Sequence, residues 1–230
     1  IRTAVNLALG HQVDAITTAP VNKESIHLAG FRWPGQTEML GEFTDTKNVA
    51  LMLTGETLRV VIVTTHIPLN KVKELITRKQ VATIVQLTHQ WLLENVTDSP
   101  NIAVTGLNPH CGDGGIFGEE ELTEIIPGLE IVRKEGIKAS GPFSADALFA
   151  RLKPNEYDAV VTMYHDQGMI PVKMANQGNA VNVTIGLPII RTSVDHGTAF
   201  DIAGKGYASH ESLKLAIYSA AQLVKSQPTA

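Results

Sequence analysis

Arg59-Val60-Val61-Ile62-Val63-Thr64-Thr65, then Thr77-Arg78-Lys79-Gln80 opening a segment with apolar residues at Val81, Ile84, Val85 and Leu92, then Asn101-Ile102-Ala103-Val104-Thr105-Gly106-Leu107: this succession decides the fold. The two β-branched runs have strand length. Between them, apolar residues three and four apart describe one face of a helix, and Thr77 with Gln80 has the spacing of a capping box. Strand, helix and strand in turn form the unit of an α/β protein. Further runs at Asp14–Ala19, Val49–Thr54, Ala159–Tyr164 and Val181–Ile185 extend the alternation. A second helical pattern, Leu213, Ala216, Ile217, Ala220, Leu223 and Val224, closes the chain. The reading is an α/β fold around a largely parallel sheet. In such sheets ligands gather where strands end.

Composition narrows the partners. The chain has 230 residues, 43% of them hydrophobic, which is enough for one large domain or two smaller ones. A formal charge of −4, with 19 Lys and Arg scattered among 23 Asp and Glu, leaves no electrostatic footprint for nucleic acid or an anionic membrane. The richest apolar stretches are of strand length, so no membrane span is expected. One cysteine, Cys111, cannot form an internal disulfide and suits a reducing, cytoplasmic setting; it reads as an inert thiol. Small molecules are the expected partners. Ile1 falls inside a helical pattern (Ala4, Val5, Leu7, Ala8), so the chain reads as a fragment of a longer one.

Three strand-like runs end in a histidine: His66 after Val60–Thr65, His110 after Ile102–Pro109, and His165 after Val160–Tyr164. Neutral imidazole is a favoured ligand of divalent transition metals, and three such ligands leave a position open for substrate or water. Their wide spacing matches no compact metal motif, and any one of them could be an ordinary polar residue at a strand terminus. The shared position at strand ends sets them apart from His11, His27, His89, His196 and His210, which read as structural or solvated.

Two glycine-rich stretches could approach a phosphate. Gly112-Asp113-Gly114-Gly115-Ile116-Phe117-Gly118 narrowly misses the dinucleotide fingerprint and reads as a turn. His196-Gly197-Thr198-Ala199-Phe200-Asp201-Ile202-Ala203-Gly204-Lys205-Gly206 reads as a functional loop, in which Asp201 either binds a ribose or caps a turn.

With these stretches in view, the wording of the chain resembles the 4-hydroxythreonine-4-phosphate dehydrogenase family of pyridoxal phosphate synthesis. The likeness is carried by Thr64-Thr65-His66-Ile67-Pro68-Leu69, Gly106-Leu107-Asn108-Pro109-His110, Gly141-Pro142-x-x-Ala145-Asp146, Tyr164-His165-Asp166-Gln167-Gly168, and Asn182-Val183 through Gly197-Thr198. The resemblance implies the two-domain fold of isocitrate and isopropylmalate dehydrogenases. Residues 1–25 and 192–230 would belong to the cofactor-side domain, and 26–191 to a second domain carrying the metal and a dimer interface. The family's N-terminal region would be missing.

The resemblance further implies that His66, His110 and His165 bind a divalent metal (zinc, or magnesium, cobalt or manganese), with His165 supplied by the second subunit of a homodimer. Gln36, Thr37, Lys173, Asn182 and Arg191 would meet the substrate, and Lys173 and Asp146 would act in catalysis. His196, Gly197, Thr198, Asp201 and Gly204 would bind NAD or NADP. By local sequence alone Lys173 could equally be a solvated amine, Asp146 a helix N-cap and Arg191 half of an ion pair.

The implied reaction oxidises 4-hydroxythreonine 4-phosphate to a 3-keto acid that loses CO2, giving 3-amino-2-oxopropyl phosphate. Gln36 departs from the family's Gly-His-Thr-Glu at Gly35-Gln36-Thr37-Glu38 and carries no imidazolium charge. A sister branch acting on threonate or erythronate 4-phosphate is therefore the second expectation. A metal-dependent hydrolase and a non-catalytic phosphoacid-binding protein are the readings from other classes.

Overall fold

The computed structural model describes residues 1–33, 35–177 and 179–226. The chain forms α1 (Arg2–Leu9), β1 (Ala15–Thr18), α2 (Lys23–Leu28), α3 (Gln36–Phe43), β2 (Ala50–Thr54), β3 (Arg59–Thr64), α4 (Val72–Leu75), α5 (Arg78–Asn95), β4 (Ile102–Thr105), α6 (Ile126–Lys134), β5 (Ala139–Phe143), α7 (Ala145–Arg151), β6 (Ala159–Tyr164), α8 (His165–Ala175), β7 (Val181–Ile185), β8 (Ile190–Ser193) and α9 (Glu211–Ser226). The strands make one sheet in the order β1-β8-β7-β2-β3-β6-β4-β5.

Both faces of this sheet are covered. On β3, Val61 and Val63 point into the larger core with α5 and α6, while Val60 and Ile62 point into a second core with α8. A strand buried on both faces reads as a continuous apolar run. Helix α5 follows its sequence closely. Thr77 Oγ1 accepts from Gln80 N at 3.2 Å, and Val81, Ile84, Val85, Thr88 and Leu92 form its buried stripe. Burying a side chain such as Leu92 contributes about 1.5–3 kcal/mol.

The sheet is mixed rather than largely parallel. β3 with β6, β6 with β4, β4 with β5 and β1 with β8 are parallel pairs, but β2 is antiparallel to both β3 and β7, and β7 to β8. The cause is loop length. Residues 55–58 and 186–189 are too few for a crossover between parallel strands, so each must turn back as a hairpin. β8 bonds β1 through Arg191–Ile16 and β7 through Thr192–Val183, so the sheet runs unbroken across the expected domain boundary at 191/192.

Candidate active site

The parallel neighbours β3, β6 and β4 end side by side, and each is followed by one of the three histidines. The rings of His66 and His165 lie 5.5 Å apart, centroid to centroid. They border a cavity of about 320 Å³ with Tyr164, Asp166 and Ile67. His165 Nδ1 sits 2.7 Å from Asp166 Oδ1, a contact that orients the ring and leaves Nε2 as the free nitrogen. The His66 imidazole is held below its ordinary pKa, first by partial desolvation, then by Lys23 and His165, with Glu38 opposing. The neutral ring is the form that binds a metal.

His110 is presented differently. It belongs to a turn, Pro109–Gly115, in which every residue from His110 to Gly115 has positive φ: 52, 54, 78, 45, 69 and 104°. For residues with a side chain this conformation costs roughly 1–2 kcal/mol each, so the surroundings must impose it. Among the described residues of one chain, no three His, Cys, Asp or Glu side chains are grouped to hold an ion. The fold thus pairs His66 with His165 and leaves His110 outside that pair.

Asp146 lies close enough to His110 for the histidine to contribute to its lowered pKa, but the leading cause is a 2.6 Å hydrogen bond from Ser144 Oγ. Asp146 is not the N-cap of its helix: Ser144 holds that position, and Asp146 sits in the first turn of α7. Burial, followed by the charge of Glu121, pushes the neighbouring Cys111 thiol up, so the inert protonated form prevails.

Arg191 occupies a different environment. It is 3% exposed. Its Nη1 donates to Thr184 Oγ1 at 2.9 Å, and its Nη2 to Thr18 Oγ1 at 2.7 Å and Gln36 Oε1 at 3.0 Å. Gln36 in turn donates through Nε2 to the Ala19 carbonyl at 2.9 Å. All these partners are neutral, and Arg191 Nε finds none among the described residues. Desolvation lowers the guanidinium pKa to about 10, which leaves it charged at neutral pH. The ion pair considered for Arg191 is therefore absent among the described residues. Asn182 on β7 likewise has a buried Oδ1 without a described partner. Thr37 lies in the first turn of α3, where the N-cap Gly35 offers no side chain to the free amides.

Lys173 is partly exposed and pairs with Asp195, 3.1 Å from Nζ to Oδ1. Asp195 directly precedes the loop of His196, Gly197, Thr198, Asp201 and Gly204. This loop is open: His196 and Asp201 are exposed, Ala199 is left-handed, and a side-chain carbon at Gly197 or Gly204 would meet nothing within 4 Å. Thr198 and Phe200 border a cavity of about 730 Å³ walled by Phe31, Trp33 and Phe43. Sequence reasoning missed Lys23, Glu38, Thr18, Thr184 and Asp195. Glu38, Thr184 and Asp195 lie in stretches that carry the family resemblance, whereas Lys23 and Thr18 carried no signal.

The model of the pyridoxal phosphate biosynthetic protein PdxA matches residues 1–220. The chain belongs to the PdxA family. Among its relatives, a 4-hydroxythreonine-4-phosphate dehydrogenase of Geobacter metallireducens is 50% identical, over 96% of this chain and 66% of that protein. A D-threonate 4-phosphate dehydrogenase of Cupriavidus necator is 48% identical, over 97% of this chain and 67% of that protein. The chain thus spans about two thirds of the length of these relatives.

A crystal structure of 4-hydroxythreonine-4-phosphate dehydrogenase from Klebsiella pneumoniae superposes with a TM-score of 0.89 at 43% identity, covering 97% of this chain and 68% of that one. A β-decarboxylating dehydrogenase of Thermococcus kodakarensis shares the fold, with a TM-score of 0.57 at 18% identity, covering 94% of this chain and 66% of its own. The chain is thus an α/β protein with the fold of this family, as the sequence led one to expect, and none of its described helices is long and apolar enough to cross a membrane.

Proposed function

We propose that this PdxA-family chain oxidises a phosphorylated hydroxy acid, with 4-hydroxythreonine 4-phosphate as the leading substrate, using NAD or NADP and a divalent ion. The observation that carries the reading is Arg191: a buried, charged guanidinium with neutral partners and a free Nε is a site made for an anion. The first-turn amides of α3, joined to Arg191 through Gln36, and the side chain of Thr37 suit the same anionic ligand.

The donors on hand fit a metal. His66 is biased toward its neutral form and His165 is oriented by Asp166, so two imidazoles stand ready, and His110 on the turn after β4 is the third. In the full enzyme one of the three is expected from the second subunit of a homodimer, with His165 as the candidate. When bound, the ion would supply Lewis acidity toward the substrate alcohol, and the nicotinamide would accept the hydride.

The chain's own groups do the rest. Arg191, Asn182 and Thr37 bind and orient the acid. Lys173, steered by Asp195, adds positive charge and handles a proton, while Asp146 holds a ligand or water near His110. The alcohol becomes a ketone as hydride and proton leave, and the resulting β-keto acid releases CO2. The loop of His196, Gly197, Thr198, Asp201 and Gly204 has the open glycine backbone to receive the cofactor beside the aromatic cavity. Pyridoxal phosphate synthesis and a cytoplasmic setting accompany this reading.

The experiment is direct. Full-length protein is assayed for nicotinamide reduction with 4-hydroxythreonine, threonate and erythronate 4-phosphates, each with both cofactors and a divalent ion. Reduction with 4-hydroxythreonine 4-phosphate supports the leading reading. Turnover with threonate or erythronate 4-phosphate instead moves the chain to the sister branch. No reduction with any of the three sinks the dehydrogenase reading.

A further inference from the structure

The turn that presents His110 is gripped by a buried carboxylate for which the reaction has no use. Glu121, 1% exposed, opens the π-helical turn Glu121–Ile125. Its Oε1 accepts from the backbone N–H groups of Leu107 and Asn108, both at 2.7 Å, and its Oε2 from Asn108 Nδ2 at 2.9 Å. Among the described residues no lysine, arginine or histidine pairs with it.

The same carboxylate also touches the far side of the turn. A side-chain carbon on Gly106 would stand 2.9 Å from Oε1, and one on Gly112 would stand 2.9 Å from Oε2. Both positions are glycine, and Gly112 has φ +78°. Glu121 therefore spans the turn from the residues entering it to Gly112, with His110 between them. From the other side Gln167, two residues past His165, donates through Nε2 to the Gly106 carbonyl at 2.8 Å and accepts at Oε1 from Thr105 Oγ1 and Met163 N.

Left-handed backbone at residues with side chains persists only where the surroundings over-determine it. A carboxylate, which only accepts, matches three converging N–H donors, whereas an amide would turn its own NH2 against one of them. We infer that Glu121 is the positioning residue for His110, fixing the left-handed turn so that the imidazole is aimed before any ion arrives. The inference rests on the metal reading above.

The test uses the full-length protein with Co2+ as the probe. Affinity is measured by competition with a chelator, and ligand geometry by the visible absorption spectrum. Glu121→Gln is expected to keep its fold and its metal-free binding of phosphorylated acid, while Co2+ affinity falls by about ten- to a hundredfold and the spectrum changes. Asn108→Ala, which keeps both backbone hydrogen bonds to Glu121 and removes the third together with the one Asn108 Nδ2 gives Glu120, should move both readouts the same way by less.

Wild-type affinity and spectrum in folded Glu121→Gln overturn the inference. If that variant does not fold, wild-type behaviour in Asn108→Ala overturns it equally. Should wild type and His66→Ala bind Co2+ alike, the metal reading itself fails and takes this inference with it. That outcome is separate from a normal Glu121→Gln in a protein whose His66→Ala is impaired.

Discussion

Arg191 sits 3% exposed inside the sheet with two hydroxyls and an amide oxygen on its guanidinium, while His110 stands exposed on a turn whose φ is positive from residue 110 to 115. The first is costly in charge: a cation has been taken out of water with only neutral dipoles to meet it. The second is costly in backbone. The Arg191 side is assembled entirely within one chain, from residues of β1, α3, β7 and β8. On the histidine side two rings stand together and the third stands apart among the described residues of one chain.

The largest expected effect tests the cost in charge. Arg191→Met removes a buried cation and keeps much of its volume, so the thermal midpoint should hold or rise, as when buried ionic groups are replaced by apolar ones. Turnover should collapse, with kcat/KM falling on the order of a thousandfold, because the substrate anion would lose a desolvated, charge-assisted partner of roughly 2–5 kcal/mol. Calorimetry and steady-state kinetics on the same preparation decide it. A midpoint that drops by many degrees would make Arg191 a structural residue and erase the contrast.

Next comes the histidine side. Asp166→Asn weakens the acceptor that orients His165, and metal affinity should fall about ten- to a hundredfold with little change in thermal midpoint. A chelator titration reads this. An unchanged affinity would show that the 2.7 Å contact is an incidental surface pair.

How much of this was legible in the sequence depends on the range of the interaction. Helix α5 was readable because its cap and its stripe are encoded within eighteen residues of local chain. His66 and His165 were readable as strand ends for the same local reason, whereas β4 stops at Thr105 and His110 lies on the turn beyond it. Their neighbours were not. Glu121 meets Leu107 and Asn108 only after the turn doubles back, and Gln36 meets Arg191 across 155 residues. The mixed sheet lay in between: the short links at 55–58 and 186–189 announce hairpins, but a count of alternating strands and helices overlooks link length. Arg191 was named by resemblance alone, and no spacing rule gives its burial.

A smaller effect follows pH. The folded pKa of His66 is depressed, so its contribution to stability is complete above the ordinary imidazole value of about 6.5 and is lost as pH falls through the folded pKa. The thermal midpoint of the metal-free protein should therefore sag toward pH 5, and His66→Asn should flatten that part of the curve. Arg191, with a pKa of about 10, contributes nothing in this window. An identical sag in His66→Asn would assign the dependence elsewhere.

The smallest effect probes Gln36, on the Arg191 side. Its amide does two jobs at once: Oε1 accepts from Arg191 and Nε2 donates to Ala19. A neutral imidazole can also accept at one nitrogen and donate at the other, so Gln36→His should preserve the fold. Once protonated it would no longer accept from Arg191 and would set a second cation beside the first, a pairing that only a bound anion relieves. In Gln36→His, affinity for a phosphorylated acid should thus rise as pH falls through the imidazole range, whereas wild type has no titrating group at this position. The change is worth about 1 kcal/mol, roughly fivefold in KM, as befits one hydrogen bond at a partly exposed site. Preference between 4-hydroxythreonine and threonate 4-phosphates should shift in the same measurement. Parallel pH profiles for variant and wild type, with an unchanged ratio between the two acids, would mean that Gln36 only braces Arg191 and that substrate choice is made elsewhere in the site.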